Sequence, residues 1–192
     1  MAQIVQCVPN VSEGRRLDVV EKIVDQVRQT AGVQLLDYSS DHDHNRTVIT
    51  YVGDLAGVQE ASFRLTQEAV KLINMEEHQG AHPRVGAVDV IPFIPIEGIT
   101  MKECIEAATR LGERIYQELE VPIYLYGEAA TKPERKNLSN IRKGQYEGLK
   151  VSIQEENRHP DFGEPRLHPT AGATVVGARM PLVAFNVNLG TN

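Results

Sequence analysis

The order of strand-like and helix-like runs is the feature that narrows the folds open to this chain. The run QIVQCVPNV at residues 3–11 is strand-like, and residues 12–30 carry apolar side chains at helical spacing, with Ser12 as the expected N-cap. Two β-rich runs, at 33–40 and 46–53, flank the polar stretch DHDHN. A helix at 54–75 that begins with a capping Asp54, and a strand at 85–96, complete the series.

This series is strand–helix–strand–strand–helix–strand, the split βαβ pattern of ferredoxin-like folds. It predicts an α/β fold of the α+β type, a sandwich whose mixed, mostly antiparallel sheet carries its helices on one face. A third helix at 100–120 and a strand at 121–127 extend it. From 128 to about 179 the chain is polar and holds several glycines and prolines, so functional loops with one short helix near 138–153 are expected.

Composition predicts a soluble globular protein with an aliphatic core. Hydrophobic residues make up 41% of the sequence and aromatic residues only 5%. The net charge of −6 and the scattered basic residues argue against nucleic-acid binding, whereas a few arginines suffice for a small anionic substrate. Without a signal-peptide pattern or an apolar run near the roughly 18 residues of a membrane span, we expect a cytoplasmic protein with no membrane partner. Cys7 and Cys104 are expected to be buried thiols.

The stretch GAHPRVGAVDV places His82 where a polar loop enters an apolar strand. Imidazole titrates near neutral pH, so a rigidly held histidine that faces a cleft suits general acid–base chemistry. Pro83 biases the preceding backbone towards extended geometry, and Arg84 offers a planar fork for a carboxylate. The residues alone also allow a histidine that only completes a turn, and both interpretations stay open at this point.

Two histidine clusters invite a metal site, and neither has a ligand pattern. His78 and His82 are four residues apart, but Gly80 and Pro83 interrupt the helix that would put them on one face. The stretch DHDHN lies between two strands and is interpreted as a polar turn. P-loop, G-x-G-x-x-G and G-x-S-x-G patterns are also missing from the sequence. We therefore predict no metal site, and we interpret His78 as a surface residue.

Two further stretches have the composition of ligand sites. LLDYSSDHDHNRT supplies Asp37 at a strand end, followed by Asn45 and Arg46. Residues 160–179 carry Arg166, His168 and Arg179 among glycines and prolines, a composition that can wrap a flat ligand with backbone groups. A solvated hairpin loop and a plain connector are the respective alternatives, and spacing does not decide between them.

Together these stretches resemble the glutamate formimidoyltransferase family, the folate-dependent enzymes of histidine degradation. The resemblance is carried by collinear motifs: CVPNVSEGR at 7–15, LLD and NRTV within 35–48, GAHPRVGAVDVIPFIPI at 80–96, VPIYLYGEAA at 121–130, IRKGQYEGL at 141–149, and PDFG, GATVVGAR and LVAFNVNLGT near the end. Residues 1–180 are similar to the N-terminal subdomain of that transferase. Residues 181–192 are expected to form a strand that leads into a second subdomain, which this sequence does not include.

The resemblance implies transfer of a formimidoyl group from N-formimidoyl-L-glutamate to tetrahydrofolate, with tetrahydrofolate as co-substrate and no metal. His82 falls on the family's catalytic histidine and is the implied general base. The expected substrate-binding residues are Asp37, Asn45, Arg46 and Arg84. The implied folate-binding segment comprises Gly163, Glu164, Pro165, Arg166, Leu167, His168, Pro169, Thr170, Ala171 and Gly172. Where the family has a further acidic residue this chain has Ser39, so the carboxylate that orients His82 is open between Asp37 and Asp41.

A homodimer is a further implication of the resemblance, as is a second subdomain or a cyclodeaminase partner, to which the activity is fused in higher animals. One alternative is formyl transfer from N-formylglutamate, or the metabolism of 5-formyltetrahydrofolate. Another is a non-catalytic folate-binding or oligomerisation module, since the second subdomain is missing. Without the resemblance, the residues describe a ferredoxin-like ligand-binding domain.

Overall fold

The computed structural model describes residues 3–182 of the 192-residue chain. Strands and helices alternate along this part of the chain. Their bounds are β1 (Ile4–Cys7), β2 (Asn10–Val11), α1 (Leu17–Arg28), β3 (Val33–Asp41), β4 (Arg46–Gly53), α2 (Leu55–Leu72), β5 (Val88–Glu97), α3 (Met101–Leu119), β6 (Ile123–Gly127), α4 (Leu138–Ile141), α5 (Gln145–Ser152) and β7 (Thr174–Ala178). Two short 3-10 helices, Pro133–Lys136 and Glu156–Arg158, flank the α4–α5 pair.

These strands form one sheet, in which β1 and β2 act as a single interrupted strand between β4 and β5. The spatial order is β3, β4, β1 with β2, β5, β7 and β6. The pairings from β3 to β5 are antiparallel, and β7 runs parallel to both β5 and β6. The first four positions have the connectivity of the split βαβ fold, so the predicted α+β class is confirmed.

Helices cover both faces of the sheet, which corrects the expectation of one covered face. The three long helices α1–α3 pack on one face around a continuous aliphatic core. On the opposite face, the short α4 and α5 lie over β6 and β7 in a second cluster. That cluster includes Val90, Tyr124, Tyr126, Ile141, Leu149 and Val175. Strands that run parallel to their neighbours are buried on both sides, so this end of the sheet needs a second cover.

Helix α1 begins at Leu17, five residues after the predicted N-cap Ser12. Glu13 serves the free backbone donors instead, because its carboxylate accepts the N–H groups of residues 14–16 at 2.9–3.1 Å. Burial opposes ionisation of Glu13, but these hydrogen bonds outweigh it and hold its pKa below the ordinary value. Ser12 donates to the carbonyl of Gly86 at 2.7 Å, which ties the first strand to the loop before β5.

Other helix boundaries follow local chemistry more closely. Asp54 caps α2 as predicted, since its carboxylate accepts the Gly57 N–H at 2.7 Å. The single helix expected near 138–153 is two helices, because Gly144 and Gln145 take positive φ values of 84° and 56° between α4 and α5.

The segment 128–179 holds more regular structure than expected. Strand β7 lies within this segment. The sequence predicts a loop there, because the short apolar run of β7 does not alternate with polar residues. A buried ion pair fastens the segment to the sheet: Arg135 Nη1 lies 2.6 Å from Asp161 Oδ2, and Asp161 also accepts the Leu125 N–H of β6 at 2.7 Å. Removing either residue of such a pair destabilises the fold, because the other residue is then left as a buried charge without a partner.

Three further expectations concern the chain end, the cysteines and the membrane. The strand predicted at 181–192 falls almost wholly outside the described residues, and residues 181–182 carry no strand. Cys7 and Cys104 are both free and buried, as predicted. Among residues 3–182, no helix has the length and apolar character needed to cross a membrane.

Candidate active site

Residues 78–86 form an irregular loop before β5 that rests on the turn between β3 and β4. Asn45 in that turn donates from Nδ2 to a carbonyl of the loop at 3.0 Å. Gly80 approaches the turn so closely that a Cβ atom there would lie 2.2 Å from the carbonyl oxygen of His44. This contact brings the ring of His44 beside that of His82, with centroids 6.4 Å apart.

His82 is buried, with 8% of its surface exposed, and no group within residues 3–182 hydrogen-bonds its ring. Burial removes hydration from the imidazolium form, and the positive charges of Arg142 and Arg46 repel it. His44 and Arg84 add smaller repulsions, and together these effects lower the pKa of His82 to about 3. The ring is therefore neutral near pH 7 and able to accept a proton.

Neither Asp37 nor Asp41 hydrogen-bonds the ring of His82 in this structure. Asp41 instead accepts the backbone N–H of His44 at 2.8 Å, and its other oxygen lies 2.9 Å from His44 Nδ1. Asp37 is exposed on the edge strand β3, where it pairs with Thr50. At the usual rise per residue, Thr50 lies about 13 Å along β4 from Arg46. A substrate contact by Asp37 stays a prediction.

A β-bulge in β5 places a buried carboxylate next to this site. The two residues of β2 pair with Val88 and Val90, so Asp89 is the extra residue between them. Asp89 is 1% exposed and forms an ion pair with Arg142, the C-cap residue that follows α4. Burial raises the pKa of Asp89, while the guanidinium of Arg142 opposes that rise. The bulge thereby anchors Arg142 over the sheet.

Arg142 and Asp89 are the site residues that sequence reasoning missed. Arg142 belongs to IRKGQYEGL, a stretch that carries the family resemblance but had no assigned role. Asp89 interrupts the apolar strand-like run at 85–96. A lone carboxylate in a buried strand is itself a signal, because burying it requires a charged partner.

The guanidinium of Arg84 is already paired within the chain. It is 4% exposed and donates to the two carboxylate oxygens of Glu147 at 2.6 and 2.9 Å. It also donates to Gln145 at 2.9 Å, so Arg84 fastens α5 to the loop that carries His82. A substrate carboxylate would have to displace Glu147, and substrate binding by Arg84 stays a prediction.

His78 is half-buried, which corrects its interpretation as a surface residue. Its Nε2 lies 2.9 Å from the carbonyl oxygen of Asn45, and its Nδ1 accepts Arg84 Nε–H at 3.1 Å. Burial lowers the pKa of His78. Asn45 is buried too, and its Oδ1 accepts the Gly14 N–H at 2.9 Å. These contacts support the loop, and a substrate contact by Asn45 stays a prediction.

Arg46 differs from Arg84, because none of the hydrogen bonds within residues 3–182 engages its guanidinium. Its Nε is buried without a partner in this part of the chain, and the same holds for the Nε of Arg142. Burial lowers the pKa of Arg46, and the carboxylate of Asp41 opposes that effect. A buried donor left unpaired costs about 1–3 kcal/mol, so both arginines suit an acceptor that the described residues do not supply.

The segment 163–172 divides between two places. Its first part and residues 167–169 line a cavity of about 140 Å³ near the end of α3. Its second part is a tight turn in which His168 and Gly172 exchange backbone hydrogen bonds at 3.0 and 3.2 Å. Gly172 also bridges to Gly86, so only this second part approaches the loop that carries His82. Folate binding by the segment stays a prediction.

Among residues 3–182, His82 lines none of three cavities of about 540, 240 and 140 Å³, although its neighbours Asn45 and His78 line the second of them. The side chains of β4 on the face of Arg46 are only half-buried. In the described part of the chain, no three His, Cys, Asp or Glu side chains are grouped to hold a metal ion.

The fold and the site define a class: a split βαβ domain that holds a neutral histidine beside two arginines suited to an anionic small molecule. The family model described as "Formiminotransferase domain, N-terminal subdomain" matches residues 4–179. The chain belongs to this family, as the motifs predicted.

Curated relatives agree with that assignment. The chain is 54% identical over its full length to the glutamate formimidoyltransferase of Streptococcus pyogenes serotype M1, and it covers 64% of that protein. It is 47% identical over 98% of its length to the glutamate formimidoyltransferase of Thermoplasma acidophilum, of which it covers 63%. Against the formimidoyltransferase-cyclodeaminase of Sus scrofa it is 48% identical and covers 35% of that protein. The chain thus spans a little under two thirds of its shorter relatives.

Proposed function

We propose that this chain carries the general base of a glutamate formimidoyltransferase. The N5 amine of tetrahydrofolate attacks the amidine carbon of N-formimidoyl-L-glutamate, and His82 takes the proton that the amine loses. The carbon–nitrogen bond to glutamate then breaks, and the leaving nitrogen takes up a proton. The products are 5-formimidoyltetrahydrofolate and glutamate, as in histidine degradation and one-carbon metabolism.

The observation that carries this proposal is the neutral, buried ring of His82 at the position of the family's catalytic histidine. A base must be unprotonated to act, and the surrounding positive charges keep the ring so. The names of the relatives supply the reaction. Among Asn45, Arg46 and Arg84, Arg46 is the most available, because the other two have partners within the chain.

We further propose that the segment the relatives carry beyond this chain forms the wall opposite His82. The half-buried face around Arg46 supports this arrangement. Folate would then lie between the two parts, against residues 163–172. A homodimer and a cytoplasmic location belong to the same proposal. So does a cyclodeaminase partner, which the name of the Sus scrofa relative includes.

The test replaces His82 by Ala in a version of the protein that includes the segment found in the longer relatives. Loss of a general base lowers kcat by roughly 10²–10⁴-fold. The matched control is His42→Ala, an exposed histidine of the β3–β4 turn, which should leave kcat unchanged. Circular dichroism of both variants checks the fold, and undiminished transfer by His82→Ala would refute the proposal.

The same assay separates the alternatives. N-formylglutamate offered in place of N-formimidoyl-L-glutamate shows whether a carbonyl donor is accepted. The 192-residue chain alone, titrated with tetrahydrofolate and then assayed, tests the binding-module alternative. Tight folate binding without turnover, in both the short and the longer version, would favour the module.

A further inference from the structure

Arg46 and Arg142 reach His82 from different elements of the fold. Arg46 begins β4, and Arg142 follows α4 on the same face of the sheet. They are the two charges that act most strongly on the His82 ring. Each guanidinium has a buried Nε without a partner among residues 3–182. Two donors that lack acceptors therefore flank a ring that also lacks a hydrogen bond.

The formal charges around this ring balance within the described residues, but the hydrogen bonds among these groups do not use every donor. The groups facing or adjoining His82 are the cations Arg46, Arg84 and Arg142, the ring of His44, and the carboxylates Asp41, Asp89 and Glu147. Each carboxylate is taken: Asp89 pairs with Arg142, Asp41 contacts His44, and Glu147 pairs with Arg84. The Nε–H of Arg46 has no hydrogen-bond partner among residues 3–182, although the charges of Asp41 and Asp89 act on this arginine, and the Nε–H of Arg142 is unpaired as well.

We propose that Arg46 and Arg142 together bind one carboxylate of the substrate beside His82, and that this carboxylate raises the proton affinity of the ring. Asp89 is a positioning residue in this arrangement, because it holds Arg142 without touching the ligand. The identity of the ligand as a glutamate-like dicarboxylate rests on the proposed function. The anion site rests on the buried, unpartnered Nε atoms of the two arginines, and its linkage to His82 rests on the positive charge that both place near the ring.

The linkage has a direct consequence for the timing of proton transfer. Without an anion, Arg46 and Arg142 disfavour the imidazolium form, so His82 stays neutral and does not take protons from solvent. A bound carboxylate offsets these charges, and the ring becomes a stronger base when a donor substrate is present. By reciprocity, protonation of the ring tightens the binding of the anion by the same factor.

The experiment uses the 192-residue chain and glutarate, a five-carbon dicarboxylate that cannot react. Nitrogen-15 NMR follows the ring of His82 from about pH 8 to about pH 5, the range in which an ordinary histidine titrates. Without glutarate, the ring should stay neutral throughout. With saturating glutarate, its midpoint should rise into this range, by roughly two pH units or more, which is about a hundredfold in proton affinity.

Variants assign the effect to Arg142. Arg142→Gln should weaken glutarate binding by roughly 10- to 100-fold, since a charge-assisted contact is lost. It also leaves Asp89 without its partner, so the double variant Asp89→Asn/Arg142→Gln keeps the buried site neutral if the single variant does not fold. Arg110→Gln, an exposed arginine of α3, is the matched control and should bind glutarate as the parent does.

Each other outcome overturns the inference. These are no saturable glutarate binding, a His82 titration that glutarate does not move, or undiminished binding in the Arg142 variants. The proposed transferase activity can fail independently of this inference. Linked glutarate binding without formimidoyl transfer would refute the function and uphold the anion site, whereas transfer without linkage would do the reverse.

Discussion

Among single side chains, His82 is distinguished by what surrounds its ring. Arg142 and Arg46 stand close enough to disfavour its protonation, and no side chain within residues 3–182 hydrogen-bonds the ring. Arg84 carries the same charge, but its guanidinium forms an ion pair with Glu147. Three arginines near one histidine thus have different roles, and the difference lies in whether a partner from the chain occupies the guanidinium.

The lowered pKa of His82 makes the folded state sensitive to acid. In the unfolded chain His82 titrates near 6.5, whereas in the folded chain it titrates near 3. Between these values the unfolded state binds the extra proton, so stability is complete above the unfolded value and falls as the pH decreases towards the folded one. The slope from this group is at most about 1.4 kcal/mol per pH unit.

We therefore expect His82→Gln to lose less stability than the parent when the pH falls from 6.5 towards 3. Urea unfolding at a series of pH values measures the difference, and His42→Gln serves as the exposed control. Parallel stability curves for the parent and His82→Gln would contradict the lowered pKa.

Among the elements, the contact between the loop 78–86 and the turn 168–173 positions the site. Gly86 sits so close to this turn that a Cβ atom would lie 2.1 Å from the carbonyl oxygen of Ala173. Both partners are backbone, which cannot move aside without shifting β7 or the loop. Gly148, in the interior of α5, has open space where its Cβ would be.

Two glycine substitutions should therefore have opposite effects. Gly86→Ala overpacks a backbone contact and should lower the free energy of unfolding by roughly 1–3 kcal/mol. Gly148→Ala should raise it by roughly 0.5–1 kcal/mol, because alanine loses less backbone entropy in a helix. Chemical denaturation of both variants measures these changes. A neutral Gly86→Ala would show that the loop and the turn are not closely packed.

Across the whole molecule, one aliphatic core joins α1–α3 to the sheet, and both cysteines lie within it. Burial raises the pKa of each thiol to about 11, so the reactive thiolate is scarce as well as inaccessible. Cys7 is on β1 and Cys104 on α3, two elements that are far apart in the sequence and that both pack into this core. Exposing both therefore requires the core to open as a unit.

We expect neither thiol to react with a thiol reagent in the native protein and both to react in denaturant. An introduced Val151→Cys is the positive control, because Val151 is exposed on α5 and should be labelled at once. Mass spectrometry after timed labelling counts the modified cysteines. Fast native labelling of Cys104 alone would instead indicate that α3 opens locally.

Periodicity and local chemistry were enough for the order of elements, the α+β class, the Asp54 cap and the buried cysteines. These features depend on neighbours a few residues away, which the sequence lists directly. His82 emerged as a candidate for the same reason, since its loop–strand junction is local.

Tertiary contacts decided the rest. Glu13, and not Ser12, accepts the free N–H groups before α1, because the Ser12 hydroxyl donates to the carbonyl of Gly86 across the sheet. The pairing of Asp89 with Arg142 joins residues 53 positions apart and depends on a bulge whose register only the assembled sheet defines. Charge, burial and pKa at a site are sums over neighbours from distant segments. For that reason the sequence alone predicted His82 as a candidate base, whereas only the tertiary structure showed that Arg46 and Arg142 lie near its ring and keep it neutral.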